Sequence, residues 1–151
     1  MSEESGGASG AAPGRGQHTA SGFGRVLVAV YAVFALSATA RSVVQLALEF
    51  DDAPVAYLLS AFAALVYVVA TVALVKGGPR WTRVATIAIS VELVGVLAVG
   101  TLTVIDPELF PDATVWSAFG QGYGYVPLIL PVVGLWWVRR HRGGSGATAS
   151  R

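Results

Sequence analysis

Long apolar runs alternate with short polar segments along this chain, and the runs fall at about 26–50, 54–75, 82–105 and 123–138. A helix needs about 20 predominantly apolar residues to cross a ~30 Å hydrocarbon core. The first three runs meet that length and the fourth comes close to it. The pattern predicts an all-α fold: a four-transmembrane-helix bundle over residues 23–142, flanked by polar tails at 1–22 and 143–151. The N-terminal tail is Gly, Ser and Ala with scattered charge, too poor in apolar surface to offset its ordering entropy.

Each run carries its own signals. The first opens with VLVAVYAVFALSATA, wholly apolar or small, and continues as RSVVQLALEF. Arg41, Gln45 and Glu49 recur there at i, i+4, i+8 and so share one helix face. That stripe is either the interfacial end of the helix or a polar face turned into the bundle. A signal peptide competes for the same stretch: Arg25 would close the charged region, Val26 to Leu36 would be the apolar region, and Ala38-Thr39-Ala40 fits a small-x-small cleavage site. The apolar pattern continues past Arg41, which favours a retained helix.

The turn FDDAP offers Asp51 or Asp52 as a helix cap, with Pro54 in the first turn of the second helix. Ala56, Ser60 and Ala64 then form a small-residue stripe that admits a close neighbour, expected to be another helix of the same chain. Tyr67, in mid-span, is expected to hydrogen-bond inside the bundle. Lys76-Gly-Gly-Pro-Arg80 reads as a short loop in which glycine ends one helix and Pro79 prevents its continuation. Trp81 and Arg83 follow as interface anchors.

The third run, VATIAISVELVGVLAVGTLTV, is apolar except for Glu92. A carboxylate in the middle of a span is expensive and normally faces protein. Trp81, Ala85, Ala88, Gly95 and Val99 share its face at helical spacing, and those that flank it are small. A stripe that small suits a neighbouring helix better than lipid. Asp106-Pro107 then reads as a further cap, and DPELFPDATVWSAFGQGYGY is the longest connection, expected to fold over the outer end. Within it FPDATV echoes the FDDAPV at 50–55, which would fit a two-helix duplication. Gly120, Gly122 and Gly124 alternate, but no GK[ST] follows, so they make no phosphate loop. Pro127 and Pro131 kink the fourth run or mark a ragged start. Trp136-Trp137 followed by RRHR is an interfacial belt against a basic flank.

Composition agrees with a membrane setting: of 151 residues, 54% are hydrophobic and only 13% charged, against about 25% charged for soluble domains. The net charge of +1 decides nothing, but its distribution does. Lys and Arg sit in the N-tail (Arg15, Arg25), the second connection (Lys76, Arg80, Arg83) and the C-terminal flank (Arg139, Arg140, Arg142). The first and third connections hold Glu49, Asp51, Asp52, Asp106, Glu108 and Asp112 and no cation. The positive-inside rule then places both termini in the cytoplasm. There is no cysteine, so no thiol nucleophile or Cys-based metal site exists. His18 and His141 both lie outside the spans, leaving no intramembrane Ser–His dyad or His metal site.

The stretch ARSVVQLALEFDDAPVAYLLSAFAALVYVVAT, with SVELVGVLAVGTLTVIDPELFPDATVWSAFGQGYGYVPLILPVVGLWWVRR, resembles small four-helix integral membrane proteins of actinobacteria. The resemblance covers about Arg41 to Arg140 and leaves out both tails. It implies architecture and host group, and it carries no catalytic motif. Three classes of function follow. The first is a non-catalytic accessory or interaction subunit of the cell envelope, whose partners are the lipid bilayer and a second copy or another membrane protein. The second is a small oligomeric transporter or channel using Glu92 for a proton or cation. The third, an intramembrane enzyme, has the least support. No cofactor, metal or nucleic acid is expected. The candidate intramembrane polar site is Glu92 with Arg41 and Gln45. The two helices run the same way, the depths computed from the apolar runs differ by only several ångströms, and guanidinium stays charged when buried.

Overall fold

A computed structural model describes residues 15–142, with side chains from 22 to 141. Residues 1–14 and 143–151 lie outside the described residues, and 15–22, expected to belong to the N-terminal tail, are instead the first turns of helix. The chain forms α1 (Arg15–Leu48), α2 (Pro54–Lys76), α3 (Gly78–Ile105) and α4 (Val126–Arg142). A 3-10 turn (Pro107–Leu109) and a 3-10 segment (Ser117–Tyr123) lie between α3 and α4. Three helices are long and apolar enough to cross a membrane, and the 3-10 segment with α4 makes a fourth if that pair, bent by 99°, counts as one span. These lengths are consistent with a multi-pass membrane protein. Large apolar side chains point outward, as a lipid-facing surface requires: Leu36, Leu48, Val94 and Ile105 are all more than half exposed.

The core is built from small residues. Ala56, Ser60 and Ala64 on α2 are all buried, as are Ala85 and Ala88 on α3. Removing bulk lets the helices approach closely, which is how helices associate where lipid offers no hydrophobic gradient. On α1 the buried positions are Gly24, Leu27, Tyr31, Ala35, Ala38, Ser42 and Gln45, alternating by three and four as one helix face should. The triplet Ala38-Thr39-Ala40 lies inside uninterrupted helix. A cut there would remove Leu27, Tyr31 and Ala35 from the core.

Several boundaries differ from the expected ones. Neither Asp51 nor Asp52 caps α2: the capping position is Ala53, with no side-chain cap. The chain enters α2 through the turn bond from Asp52 N–H to the Glu49 carbonyl, 3.0 Å, and Pro54 supplies the first helical residue. The expected five-residue loop at 76–80 contracts to Gly77 alone, whose φ of 60° is open to glycine and strained for other residues. Trp81 and Arg83 therefore lie on α3. The two FxDAxV segments are not structural copies, because the first leads into α2 within a few residues whereas the second leads into the 3-10 segment and α-helix resumes only at Val126.

The fourth run is the largest departure. The helix is offset to Val126–Arg142, with Pro131 inside it. The connection before it turns inward instead of lying over the bundle. Ala118, Phe119 and Gly120 all take left-handed backbone angles, costly for the two non-glycines. Two contacts hold that kink in place. The Ala118 N–H donates to Thr103 Oγ1 at 2.7 Å. The Phe119 ring and backbone press on Gly100, where a Cβ would lie 2.6 Å from the ring.

Candidate functional site

The bundle holds two polar clusters at different depths. The deeper one centres on Glu92, which has no exposed surface. Tyr31 on α1 donates to Glu92 Oε2 at 2.7 Å. Tyr67 on α2 is equally enclosed, its ring 6.2 Å from that of Tyr31 and 5.5 Å from that of Phe34. Trp116 closes the cluster from the α3–α4 connection. It is 1% exposed, meets Phe62 edge-on at 6.1 Å, and seats its six-membered ring on Gly95, where a Cβ would fall 2.5 Å from it. Gly95 lies one turn from Glu92 on α3, so the tryptophan plugs the bundle just above the carboxylate.

This cluster contains unpaired polar atoms. Glu92 Oε1, Tyr67 Oη and Trp116 Nε1 are all buried without a partner in strict hydrogen-bond geometry among the described residues, although the Tyr67 hydroxyl lies beside the other two groups. A buried polar atom left unpaired costs about 1–3 kcal/mol, and such costs concentrate where a site has a task. Mid-span ionisable groups are likewise usually functional or tightly constrained.

The second cluster lies at the end that carries the acidic connections. Arg41 donates to Tyr123 Oη at 2.9 Å and to the Ala113 carbonyl at 2.8 Å. Asp112 accepts from the Tyr57 hydroxyl at 3.0 Å through Oδ2 and from the Ala113 N–H at 3.0 Å through Oδ1. Gln45 stands between the two charges. In one orientation its amide reaches Asp112 Oδ2 at 3.5 Å, and turned over it accepts from the Arg41 guanidinium at 3.2 and 3.3 Å. The shorter, charge-assisted pair is the better bond. Together these groups tie the connection before α4 to α1 and α2.

Glu92, Arg41 and Gln45 therefore do not form one site. Glu92 meets Tyr31, and Arg41 lies ten residues further along α1, about 15 Å at 1.5 Å per residue. The expected pairing fails because the ends of the apolar runs misplace the depths of the helices. At the basic end Gly24 contacts Trp137, which shares a cavity wall with Ala85. From that level both Tyr31 and Glu92 are seven residues up. Arg41 is used instead by a backbone carbonyl and a phenol more than 70 residues away in sequence.

Tyr67 lies in the interior as expected, its hydroxyl beside Glu92 and the Trp116 indole, though at neither in strict hydrogen-bond geometry. Two residues of the deep cluster were not singled out from sequence. Tyr31 carries the one hydroxyl in the middle of VLVAVYAVFAL, and a buried phenol usually needs a partner. Trp116 belongs to a connection expected to stay outside; its signal was the pairing of two aromatics three apart, Trp116 and Phe119, with two glycines five apart on α3. Among the described residues no three His, Asp or Glu side chains lie close enough to hold a metal ion. Compared with protein-family models, curated proteins and solved structures, the chain finds no match.

Proposed function

We propose that the chain is a non-catalytic integral membrane subunit of the cell envelope, of the kind found among small four-helix membrane proteins of actinobacteria. In this reading it crosses the membrane four times with both termini in the cytoplasm, and it acts through contacts with a second copy or another membrane protein. The observation that carries the reading is the state of Glu92. The carboxylate is fully enclosed, engaged by Tyr31 and covered by Trp116 on the side of the acidic connections. An ion or substrate site needs an approach from at least one face. The remaining strong polar groups, Arg41 and Asp112, are spent on fastening a connection.

The second reading is a proton or cation site at Glu92 in a small oligomeric transporter. It is favoured by one observation: Glu92 Oε1 is buried without a partner in strict hydrogen-bond geometry, so the carboxyl group keeps acceptor capacity that the nearby Tyr67 takes up only in part. Pyranine-loaded liposomes containing purified protein separate the two readings. An imposed pH gradient should decay at the same rate with wild type, with Glu92→Gln and with empty vesicles. A faster decay with wild type that Glu92→Gln abolishes would overturn the subunit reading in favour of the proton site.

A further inference from the structure

The basic end of the bundle contains a cavity of about 620 Å³ between the end of α2, the start of α3 and the end of α4. Its wall has two characters. Ala73, Leu74 and the Trp137 ring are apolar, while Thr82, Arg83 and His141 bring polar atoms to the rim. A second, mainly apolar groove of about 520 Å³ runs beside it along α1, lined by Gly24, Val28 and Val75 with the exposed Arg25 among them, and it shares Leu74 and Trp137 with the first. The two spaces thus adjoin, with Leu74 and Trp137 between them. One side of that boundary suits a polar group and the other suits a hydrocarbon chain.

Four further observations set the sign of the ligand. Apart from Glu92, every Asp and Glu among the described residues lies in the connections at the opposite end, so no carboxylate competes for the cations here. The first turn of α3 borders the cavity through Gly78 and Pro79. That turn has no side-chain cap and no acidic residue, so nothing on it offsets the positive dipole end; Pro79 itself brings no N–H. Trp137 Nε1 is buried with no hydrogen-bond partner, although a buried indole N–H normally has one. Lys76 and Arg140 are engaged over the faces of Trp81 and Trp136, at 4.4 and 4.5 Å from the ring centroids. Arg83 is the exposed guanidinium on the cavity itself.

We propose that this cavity binds one anionic phospholipid, with its phosphate at Arg83 and the first turn of α3, and an acyl chain in the groove along α1. Basic pockets between membrane helices recognise anionic headgroups by the same combination of charge and depth. The groove gives a reason for a lipid rather than a free phosphate, because an inorganic anion would leave that apolar wall unused.

The test is native mass spectrometry of the full-length protein released from detergent and titrated with dioleoyl-phosphatidylglycerol or dioleoyl-phosphatidylcholine. The acyl chains are identical, so the comparison reads the headgroup. One phosphatidylglycerol should bind about 10-fold more tightly than phosphatidylcholine, on the scale of one good charge-assisted contact. Arg83→Gln should remove most of that preference, and Trp137→Phe, which keeps the ring and deletes the N–H, should weaken binding several-fold. Arg140→Gln, outside the cavity, should leave it unchanged. Equal binding of the two lipids, or a loss with Arg140→Gln as large as with Arg83→Gln, would overturn the site. Displacement of phosphatidylglycerol by millimolar inorganic phosphate would overturn the lipid assignment. Circular dichroism of each variant shows that the helices persist, and because Arg83 is exposed, its replacement leaves the core intact.

Discussion

Trp116→Ala should be the most damaging single substitution in the chain, lowering stability by about 3–5 kcal/mol, the range for deleting a large buried aromatic. The side chain is 1% exposed and fills the space above Glu92, with its ring on Gly95 and its edge against Phe62. Nothing nearby can collapse into the gap, because the seat is a glycine on a continuous helix. The loss is one of packing, since lipid provides little hydrophobic drive for helices already in the membrane. Trp116→Phe should cost less, because a ring still covers part of the seat. Gly95→Val should also destabilise, because even its Cβ would lie 2.5 Å from the indole. Denaturation by sodium dodecyl sulfate, followed by circular dichroism, gives the ranking. A Trp116→Ala protein as stable as wild type would mean that the connection does not enter the bundle.

Tyr31→Phe should cost about 1–3 kcal/mol, because it removes the donor 2.7 Å from Glu92 Oε2 and leaves only the Tyr67 hydroxyl beside the carboxyl group. Replacing both partners should be cheaper than replacing the tyrosine alone: Tyr31→Phe with Glu92→Leu removes the orphaned group together with its cause. Cycles in membrane helices average about 0.6 kcal/mol and reach about 1.7. The Tyr31–Glu92 coupling should fall in the upper part of that range, because both groups are enclosed. Arg41→Ala should instead add to Glu92→Leu within about 0.5 kcal/mol, as sites without shared partners do. If the cycle couples Arg41 strongly to Glu92 and leaves Tyr31 uncoupled, the register of α1 against α3 is wrong.

The contrast between those two cycles shows what was legible in the sequence. The three long helices could be read from apolar runs, because a membrane requires length and lack of charge and both are local properties. The burial of Glu92 could also be read, since Ala85, Ala88 and Gly95 beside it are too small for a lipid-facing stripe. The partner of Glu92 could not. It depends on how far α1 slides along α3, and a ten-residue error in that register exchanges Tyr31 for Arg41. Apolar runs have soft ends, because the first turns of a helix can project beyond the core, so they fix existence better than depth. The inward turn of the α3–α4 connection was hidden for a different reason. It needs left-handed angles at Ala118 and Phe119, which no local propensity favours, and tertiary contacts to Thr103 and Gly100 supply the compensation. Arg41 was misjudged in the same way: its acceptors, the Ala113 carbonyl and the Tyr123 hydroxyl, are brought near only by that turn.

The proposed four-span topology rests on α4, which runs back along α3 so that Gly134 packs on Ile89 and the chain returns to the basic end. The absence of native cysteine makes the direct measurement clean: single cysteines at Arg80, Glu108 and Arg140, labelled with a membrane-impermeant maleimide before and after the cells are permeabilised. The account predicts that Glu108→Cys reacts in intact cells, whereas Arg80→Cys and Arg140→Cys react only once the membrane is opened. Labelling of Arg140→Cys in intact cells together with Glu108→Cys would contradict it, because α4 would then begin and end on one side of the membrane.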